Sequence, residues 1–143
     1  MSFNVLIVDD SFSMRAVIKK VVTMSGFEVD RCFEASDGTE ALSVMAGQWV
    51  DLVITDINMP RMNGIELLAK MKEDDLLRMI PVAVVSTEGN EERVREAFSF
   101  GARGYLKKPF LPEECRTVLC EIVGIEEDGG YAADDEDAGD LDF

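Results

Sequence analysis

Five short apolar runs alternate with segments of helical periodicity along the first 124 residues of the chain. Each run is too short for a stable helix, and most are apolar at both odd and even positions. That pattern is typical of strands in a parallel sheet whose two faces are both covered by helices. The runs are residues 3–8, 29–33, 51–55, 81–85 and 104–106. The alternation predicts an α/β fold of five βα units around a doubly wound, five-stranded parallel sheet.

The segments between the runs carry signals that begin and end helices. Ser36 or Asp37 can cap the second helix, and Pro112 lies early in the last one, ahead of two acidic residues that suit a first turn. Glycines stand where three helices should end, at positions 26, 101 and 124. A sheet of this kind commonly has the flavodoxin-like strand order 2-1-3-4-5, and it binds ligands beyond the carboxyl ends of strands 1 and 3.

Acidic residues are concentrated towards the end of the sequence. The formal net charge is -15, and nine of the 29 Asp and Glu residues lie in positions 126–143, which contain no Lys or Arg. The other 20 acidic residues are opposed by 14 basic ones over positions 1–125. An acidic protein is not expected to bind nucleic acid directly. We expect one domain over residues 1–125 and a disordered acidic tail over 126–143, because the tail has few large apolar residues to bury.

Other features limit where the protein works. No apolar run approaches the roughly 18 residues that a membrane-spanning helix needs, so no membrane insertion is expected. The first residues lack the basic and apolar regions of a signal peptide. The chain has three cysteines and no histidine, which leaves no ligand set for zinc and favours reduced, packed thiols. The expectation is a cytoplasmic protein.

Three carboxylates follow two strands that should be neighbours. Asp9 and Asp10 come directly after the first run, and Asp56 follows the third. Acids at strand ends are often only solvated turn residues, but like charges this close need a proton or a cation between them. Hard oxygen ligands suit Mg²⁺, which shares its other positions with water and phosphate. Because a carboxylate can also be a phosphoryl nucleophile, the sequence predicts a Mg²⁺-dependent phosphoryl site at this edge.

Two further polar groups should reach the same edge of the sheet. Ser86 follows the fourth run, and its hydroxyl can donate to a phosphoryl oxygen. Lys108 follows the fifth run and offers positive charge to the same oxygens. An ordinary turn serine and a surface lysine are the alternative interpretations.

Five segments of the chain, taken together, resemble the signature segments of the response-regulator receiver family. The segments are IVDDS at 7–11, ITDINMP at 54–60, MNG at 62–64, VVS at 84–86 and GARGYLKKPF at 101–110. The resemblance covers about residues 3–124, and the order and spacing of the five segments make it specific. It implies a two-component signalling protein that accepts a phosphoryl group from a histidine kinase, rather than an enzyme with a separate substrate.

The resemblance also implies roles for the residues at the predicted site. Asp56 would be the phosphoacceptor. Asp10, Asp56 and the main-chain carbonyl of Asn58 would bind Mg²⁺, and Asp9 would act mainly through water. Lys108 would contact the phosphoryl group.

Ser86 and Tyr105 resemble the switch pair of the family. The Ser86 hydroxyl would move towards the phosphoryl group, and the Tyr105 ring would turn inward behind it. A half-buried strand aromatic without a switching role is the alternative for Tyr105. The resemblance further implies that the peptide bond between Lys108 and Pro109 is cis.

Within the family, the lack of an output domain and the residues Asn58 and Glu88 favour a single-domain response regulator of the CheY-like chemotaxis type. Its expected partners are a histidine kinase as phosphodonor, a target protein such as the flagellar motor switch, and a phosphatase. A phosphorelay intermediate or a phosphate sink is the alternative. Thr87 is larger than the residue usual at its position and would crowd the mouth of the site.

Two functions outside the family fit the sequence poorly. A phosphatase of the haloacid-dehalogenase type needs a second acid where this chain has Asn58, which cannot act as a general acid. A flavodoxin-like cofactor carrier needs a loop rich in glycine and hydroxyl groups after strand 1. Here that loop begins with Asp9 and Asp10, which repel phosphate unless a metal ion lies between them.

Overall fold

The computed structural model describes residues 2–87 and 90–125. Within these ranges strands and helices alternate in five βα units, and a short 3₁₀ helix, Leu77–Met79, precedes the fourth strand. The strands are β1 (Phe3–Val8), β2 (Val29–Ala35), β3 (Leu52–Asp56), β4 (Val82–Ser86) and β5 (Gly104–Lys107). The helices are α1 (Phe12–Met24), α2 (Gly38–Gly47), α3 (Gly64–Lys72), α4 (Glu91–Ser99) and α5 (Pro112–Val123). The predicted α/β architecture is confirmed.

The five strands form one parallel sheet. Their order is β2-β1-β3-β4-β5, which confirms the predicted flavodoxin-like order. The strands β3 and β4 are buried at every position, and this explains why their sequences do not alternate between apolar and polar residues. β1 lies directly beside β3, with Val8 paired to Thr55, so the residues that follow these two strands emerge side by side.

Apolar side chains pack against both faces of the sheet. Leu6 and Val8 of β1 belong to a cluster that includes residues of α2, α3 and α4. Val5 and Ile7, which point the opposite way because strand side chains alternate, belong to a second cluster with α1 and α5. The sheet is therefore doubly wound, as the alternation of runs and helical segments predicts.

Polar side chains cap the amino ends of α2 and α3, two helices that follow strands of the sheet. The Asp37 carboxylate accepts a hydrogen bond from the Glu40 N–H at 2.8 Å, which identifies Asp37, and not Ser36, as the cap of α2. Asn63 and Glu66 form a capping box at the start of α3. These caps satisfy main-chain N–H groups that have no partner within the helix, and they fix where each loop ends.

The strands differ from expectation at their ends. Asp56 and Ser86 are the last residues of β3 and β4, not the first residues beyond them, and both are buried. The strand β2 extends beyond residue 33 to Ala35, because residues 33–35 pair with the end of β1. Asp51 precedes β3 rather than opening it, and its carboxylate accepts a hydrogen bond from the Asn4 N–H at 2.8 Å.

The only tryptophan of the chain lies at the amino edge of the sheet. Trp49 stands in the loop ahead of β3, and its side chain is 76% exposed. Its indole Nε1 donates a hydrogen bond to Asp51 Oδ1 at 2.8 Å. This edge is opposite the one that carries the predicted site.

Several expectations from the sequence concern other parts of the chain. None of the helices within residues 2–87 and 90–125 is long and apolar enough to cross a membrane. None of the three cysteines takes part in a disulfide, and Cys115 and Cys120 are buried, which agrees with the predicted packed thiols. The acidic segment 126–143, predicted to be disordered, and Glu88, used to assign the chemotaxis type, lie outside the described residues.

Candidate functional site

Three carboxylates meet at the carboxyl edge of the sheet. Asp9 and Asp10 follow β1, and Asp56 ends the neighbouring strand β3. One oxygen from each of them lies within 4.8 Å of the other two. Asp9 is 2% exposed and Asp56 is 9% exposed, whereas Asp10 is open to solvent. The carboxylates are thus brought together as predicted, and their oxygens are the hard donors that Mg²⁺ prefers.

The backbone around Asp56 fixes the orientation of its carboxylate. The Ile57 N–H donates a hydrogen bond to Asp56 Oδ1 at 3.0 Å. The Gly64 N–H donates to the Ile57 carbonyl at 2.8 Å, so the chain returns to the end of β3 after seven residues. A Cβ atom at position 64 would lie 2.5 Å from the Asp56 carbonyl oxygen, so this close approach of two backbone segments requires glycine.

The environment of Asp56 makes ionisation of its carboxyl less favourable than in water. Its pKa is raised to about 6, chiefly by burial; the Lys108 ammonium opposes this shift, and the nearby charge of Asp9 adds to it. Burial raises the pKa of a carboxyl because the charged form loses hydration. A cation held by the same carboxylates would favour the ionised form, which is the form that can attack phosphorus.

Lys108 reaches the carboxylates from the end of β5. Its Nζ lies 3.5 Å from Asp9 Oδ2 and 3.8 Å from Asp56 Oδ1. The Lys108 N–H donates to the Ser86 carbonyl at 2.8 Å, which ties the loop after β5 to the end of β4. The peptide bond between Lys108 and Pro109 is cis, as the resemblance implies. Lys108 is therefore a partner of the acidic cluster and not a surface lysine.

Ser86 lies at the same edge, and its hydroxyl bonds to the residue that follows β4. Its side chain is 1% exposed, and its hydroxyl donates a hydrogen bond to the Thr87 carbonyl at 3.2 Å. Thr87 is exposed, and its hydroxyl oxygen accepts a hydrogen bond from Asn90 Nδ2 at 3.2 Å. The predicted crowding of the site by Thr87 stays a prediction.

The other two predicted site residues, Tyr105 and Asn58, lie on β5 and in the loop after β3. Tyr105 is half-buried on β5, pairs with Val84 of β4, and packs against the apolar cluster that includes α4. Asn58 is exposed in the loop that follows Asp56, two residues beyond it. The site thus collects residues from four strand ends, as expected from parallel strands that share one carboxyl edge.

Sequence patterns did not reveal two arginines that support this edge. Arg15 of α1 donates from Nη1 to the Asp9 carbonyl at 2.7 Å and from Nε to Glu34 Oε1 at 2.8 Å. Arg61, in the loop after β3, pairs with the buried Asp37 at the start of α2. Neither pairing could be predicted from the spacing of residues along the chain, because each joins side chains from different elements. The only signal for Arg15 was that a basic residue stands one turn into α1.

Known proteins resemble this chain in both sequence and structure. The family described as the response regulator receiver domain matches residues 5–119. A chemotaxis protein CheY of Pseudomonas aeruginosa is 41% identical over 119 residues, which cover 83% of this chain and 94% of the relative. A chemotaxis protein CheY homolog of Campylobacter jejuni is 36% identical over 130 residues, which cover 90% of this chain and 98% of the relative. The chemotaxis response regulator CheY4 of Vibrio cholerae has a solved structure with a TM-score of 0.73 and 34% identity, covering 85% of this chain and 99% of that one.

Proposed function

The chain belongs to the response regulator receiver family, and from this premise we propose that Asp56 accepts a phosphoryl group from a histidine kinase in a Mg²⁺-dependent reaction. The observation that carries the proposal is the cluster itself. Asp56 is a buried carboxylate that lies close to two other acids and 3.8 Å from the Lys108 ammonium. Chemotaxis proteins named CheY match this chain over almost their whole length, and this similarity supports a response regulator of the chemotaxis type.

The transfer would exchange a phosphorus–nitrogen bond for a phosphorus–oxygen bond. An Asp56 oxygen attacks the phosphorus of the kinase phosphohistidine, and the imidazole leaves as the acyl phosphate forms. Asp56 is fixed for this attack because the Ile57 N–H holds one of its oxygens. Lys108 would turn from Asp9 and Asp56 towards the new phosphoryl oxygens, since its ammonium group already lies 3.8 Å from the carboxylate that would carry them.

The residues present fit a Mg²⁺ ion. Asp10, Asp56 and the Asn58 carbonyl would hold it, and Asp9 would contribute mainly through water. When bound, the ion neutralises the carboxylates and the incoming phosphoryl oxygens. Asp9 has a second task, because it also pairs with Lys108. The protein would take part in its own phosphorylation and dephosphorylation without acting on a separate substrate.

Ser86 and Tyr105 would convert phosphorylation into a change of surface. Among the described residues, the Ser86 hydroxyl donates to the neighbouring Thr87 carbonyl at 3.2 Å, a contact that a phosphoryl oxygen could replace with a stronger, charge-assisted bond. Movement of Ser86 would open space on the side of β4 where Tyr105 packs. The ring would then turn inward and change the surface formed by α4, β5 and α5.

The partner surface would be a basic face around Tyr105. We define the basic face as Arg93, Arg95, Arg103 and Lys107. Three of these residues are exposed and Arg93 is half-buried, although the chain as a whole carries a net charge of -15. A target with an acidic amphipathic segment suits such a face, and the flagellar motor switch is the proposed target. A phosphatase would act at the same Asp56. We further propose that the protein works in the cytoplasm, where it would meet these partners.

Phosphoryl transfer from a labelled histidine kinase tests the proposal. The wild-type chain should become labelled in the presence of Mg²⁺ and lose the label in excess chelator. Asp56→Asn should abolish labelling, whereas Asp75→Asn, which removes an exposed acid in a surface ion pair, should leave it unchanged. Labelling of Asp56→Asn at the wild-type rate, or labelling without a metal ion, would contradict the proposal. Onward transfer of the label to a second histidine protein would identify a relay intermediate.

A further inference from the structure

An ion pair outside the carboxylate cluster joins the loop after β3 to the start of α2. We call residues 57–63 the β3–α3 loop. Arg61 Nε, in this loop, lies 2.5 Å from Asp37 Oδ2. The Asp37 side chain is 3% exposed and the Arg61 side chain is 67% exposed. We call this pair the Asp37–Arg61 clamp.

Asp37 divides its two carboxylate oxygens between the helix and the loop. Oδ1 accepts the hydrogen bond from the Glu40 N–H that caps α2, and Oδ2 accepts from Arg61. These hydrogen bonds, first from the Glu40 N–H and then from Arg61, hold the pKa of Asp37 below its usual range. The buried carboxylate is therefore charged at neutral pH, and each of its oxygens has a partner.

Contacts next to the clamp seat the loop on α2. The Gly38 N–H donates a hydrogen bond to the Met62 carbonyl at 2.9 Å. A Cβ atom at position 38 would lie 2.6 Å from Met62 Cγ, so the glycine allows the Met62 side chain to lie against the helix start. The loop is thus attached to α2 by one ion pair and one main-chain hydrogen bond at adjacent residues.

The backbone of Arg61 indicates that the clamp constrains the loop. Arg61 has φ of 64° and is the only non-glycine residue with positive φ in the described part of the chain. Side chains disfavour this left-handed conformation, which persists where surrounding contacts over-determine it. Here those contacts are the ion pair to Asp37 and the hydrogen bond from Gly38 to Met62.

The loop held in this way contains the proposed third metal ligand. At its base, the Ile57 N–H contacts the Asp56 carboxylate and the Ile57 carbonyl accepts from Gly64. At its far end, the clamp fixes Arg61. Asn58 lies between the two attachment points. We infer that the Asp37–Arg61 clamp is a positioning device that holds the Asn58 carbonyl towards the carboxylate cluster and so increases the affinity for Mg²⁺; this inference rests on the proposed function.

The test compares Mg²⁺ affinity among clamp variants of the full chain. Arg61→Asn removes the guanidinium but keeps a residue that tolerates positive φ. Asp37→Asn keeps a good helix cap but removes the charge. Each variant should weaken Mg²⁺ binding in calorimetry by about tenfold, the effect typical of losing support behind a ligand. The double variant should be no weaker than either single one, because both remove the same interaction.

A second readout separates positioning from a general loss of structure. The Mg²⁺ concentration for half-maximal labelling of Asp56 should rise in Arg61→Asn by the same factor as the dissociation constant. The labelling rate at saturating Mg²⁺ should stay within about threefold of wild type, because excess metal ion compensates for a weaker site. Arg61→Lys, which keeps the charge, should recover part of the affinity. The Arg78→Gln variant breaks an exposed ion pair with Asp75 and serves as the control, with no change expected.

The outcomes distinguish this inference from the proposed function. If Arg61→Asn binds Mg²⁺ as tightly as wild type, the inference is wrong while the phosphoacceptor site stands. If Asp37→Asn weakens binding and Arg61→Asn does not, the charge of Asp37 acts without Arg61 and the inference is likewise wrong. If the wild-type chain neither binds Mg²⁺ nor becomes labelled, the proposed function fails first.

Discussion

At the scale of single residues, the central feature of the site is a carboxylate whose burial disfavours its charged form. Asp56 is buried among other acids, and its pKa is raised to about 6, chiefly by that burial. A charged group so placed destabilises the metal-free fold at neutral pH, since the unfolded chain hydrates it fully. This loss of stability accompanies a carboxylate that is reactive. Binding of a cation or transfer of a phosphoryl group would each remove the unfavourable buried charge.

The pKa of Asp56 predicts how the stability of the metal-free protein depends on pH. The folded-state pKa lies above the unfolded value, so the folded state binds more protons between about pH 4 and pH 6 and stability falls as the pH rises through this window. Asp56→Asn should therefore raise the free energy of unfolding at pH 7 by about 3 kcal/mol, and at pH 4 by only about 0.5 kcal/mol. Urea unfolding in excess chelator measures both values, and equal effects at the two pH values would refute the argument.

Lys108 acts on the pKa of Asp56 in the direction opposite to burial. Its ammonium lies 3.8 Å from Asp56 Oδ1 and lowers the pKa of that carboxyl. Lys108→Ala should raise the pKa of Asp56 above its value of about 6 and lower the stability of the metal-free protein at pH 7 by about 1 kcal/mol. Carboxyl NMR titration measures the pKa. Lys107→Ala, at the exposed neighbouring position, is the control; a shift as large in that variant would mean that the effect is not specific to Lys108.

At the scale of elements, the start of α3 is packed against the end of β3. Gly64 allows this because a Cβ atom there would lie 2.5 Å from the Asp56 carbonyl oxygen. Gly64→Ala should reduce the free energy of unfolding by about 2–3 kcal/mol and slow the labelling of Asp56. Gly47→Ala, at the end of α2 with no atom within 4 Å of a new Cβ, should instead stabilise by about 0.5–1 kcal/mol. Denaturant unfolding of both variants checks the contrast, and similar effects would contradict it.

The order of the elements could be predicted from the sequence, but their ends could not. Apolar runs mark strands because burial on both faces leaves little choice of residue. Asp56 interrupts such a run, although its backbone stays paired with Val85 of β4, so the run ends one residue before the strand does. The meeting of Asp9, Asp10 and Asp56 was predictable because strand order fixes which strand ends are neighbours.

The supporting ion pairs were beyond sequence reasoning for a physical reason. Asp37 and Arg61 are 24 residues apart and lie in two different loops. Their contact depends on how α2 and α3 pack on the sheet, and no period or motif encodes that distance. The sequence indicated only that Asp37 could cap a helix, which is one half of its role in the structure.

At the scale of the whole molecule, the charge distribution separates the domain from the segment after residue 125. Ile125 still belongs to the domain, because its N–H donates to the Cys120 carbonyl at 3.0 Å and its side chain packs beside the cluster under α5. We propose that residues 1–125 fold alone, and that the nine acids of 126–143 compete weakly with an acidic target for the basic face.

Truncation after Ile125 tests this proposal. The free energy of unfolding should change by less than about 0.5 kcal/mol, and the labelling of Asp56 should be unchanged. Binding of an acidic target peptide should be tighter than in the full chain at low salt, and the difference should shrink as salt screens the charges. Unfolding of the truncated chain would show that the domain boundary is wrong, and equal binding at every salt concentration would leave the segment as a solubilising one.

The position of Trp49 decides what the intrinsic fluorescence of this protein can report. The only indole stands at the amino edge, and β3, a strand of five residues that is about 17 Å long, runs from that edge to Asp56. We expect it to emit as a solvated ring, because it is exposed and bonded to Asp51, so titration with Mg²⁺ should leave the spectrum unchanged within a few per cent. A large quenching would mean that the two edges are coupled. Trp49 fluorescence is therefore not expected to report activation, and a reporter placed beside Tyr105 would be the better optical probe of signalling.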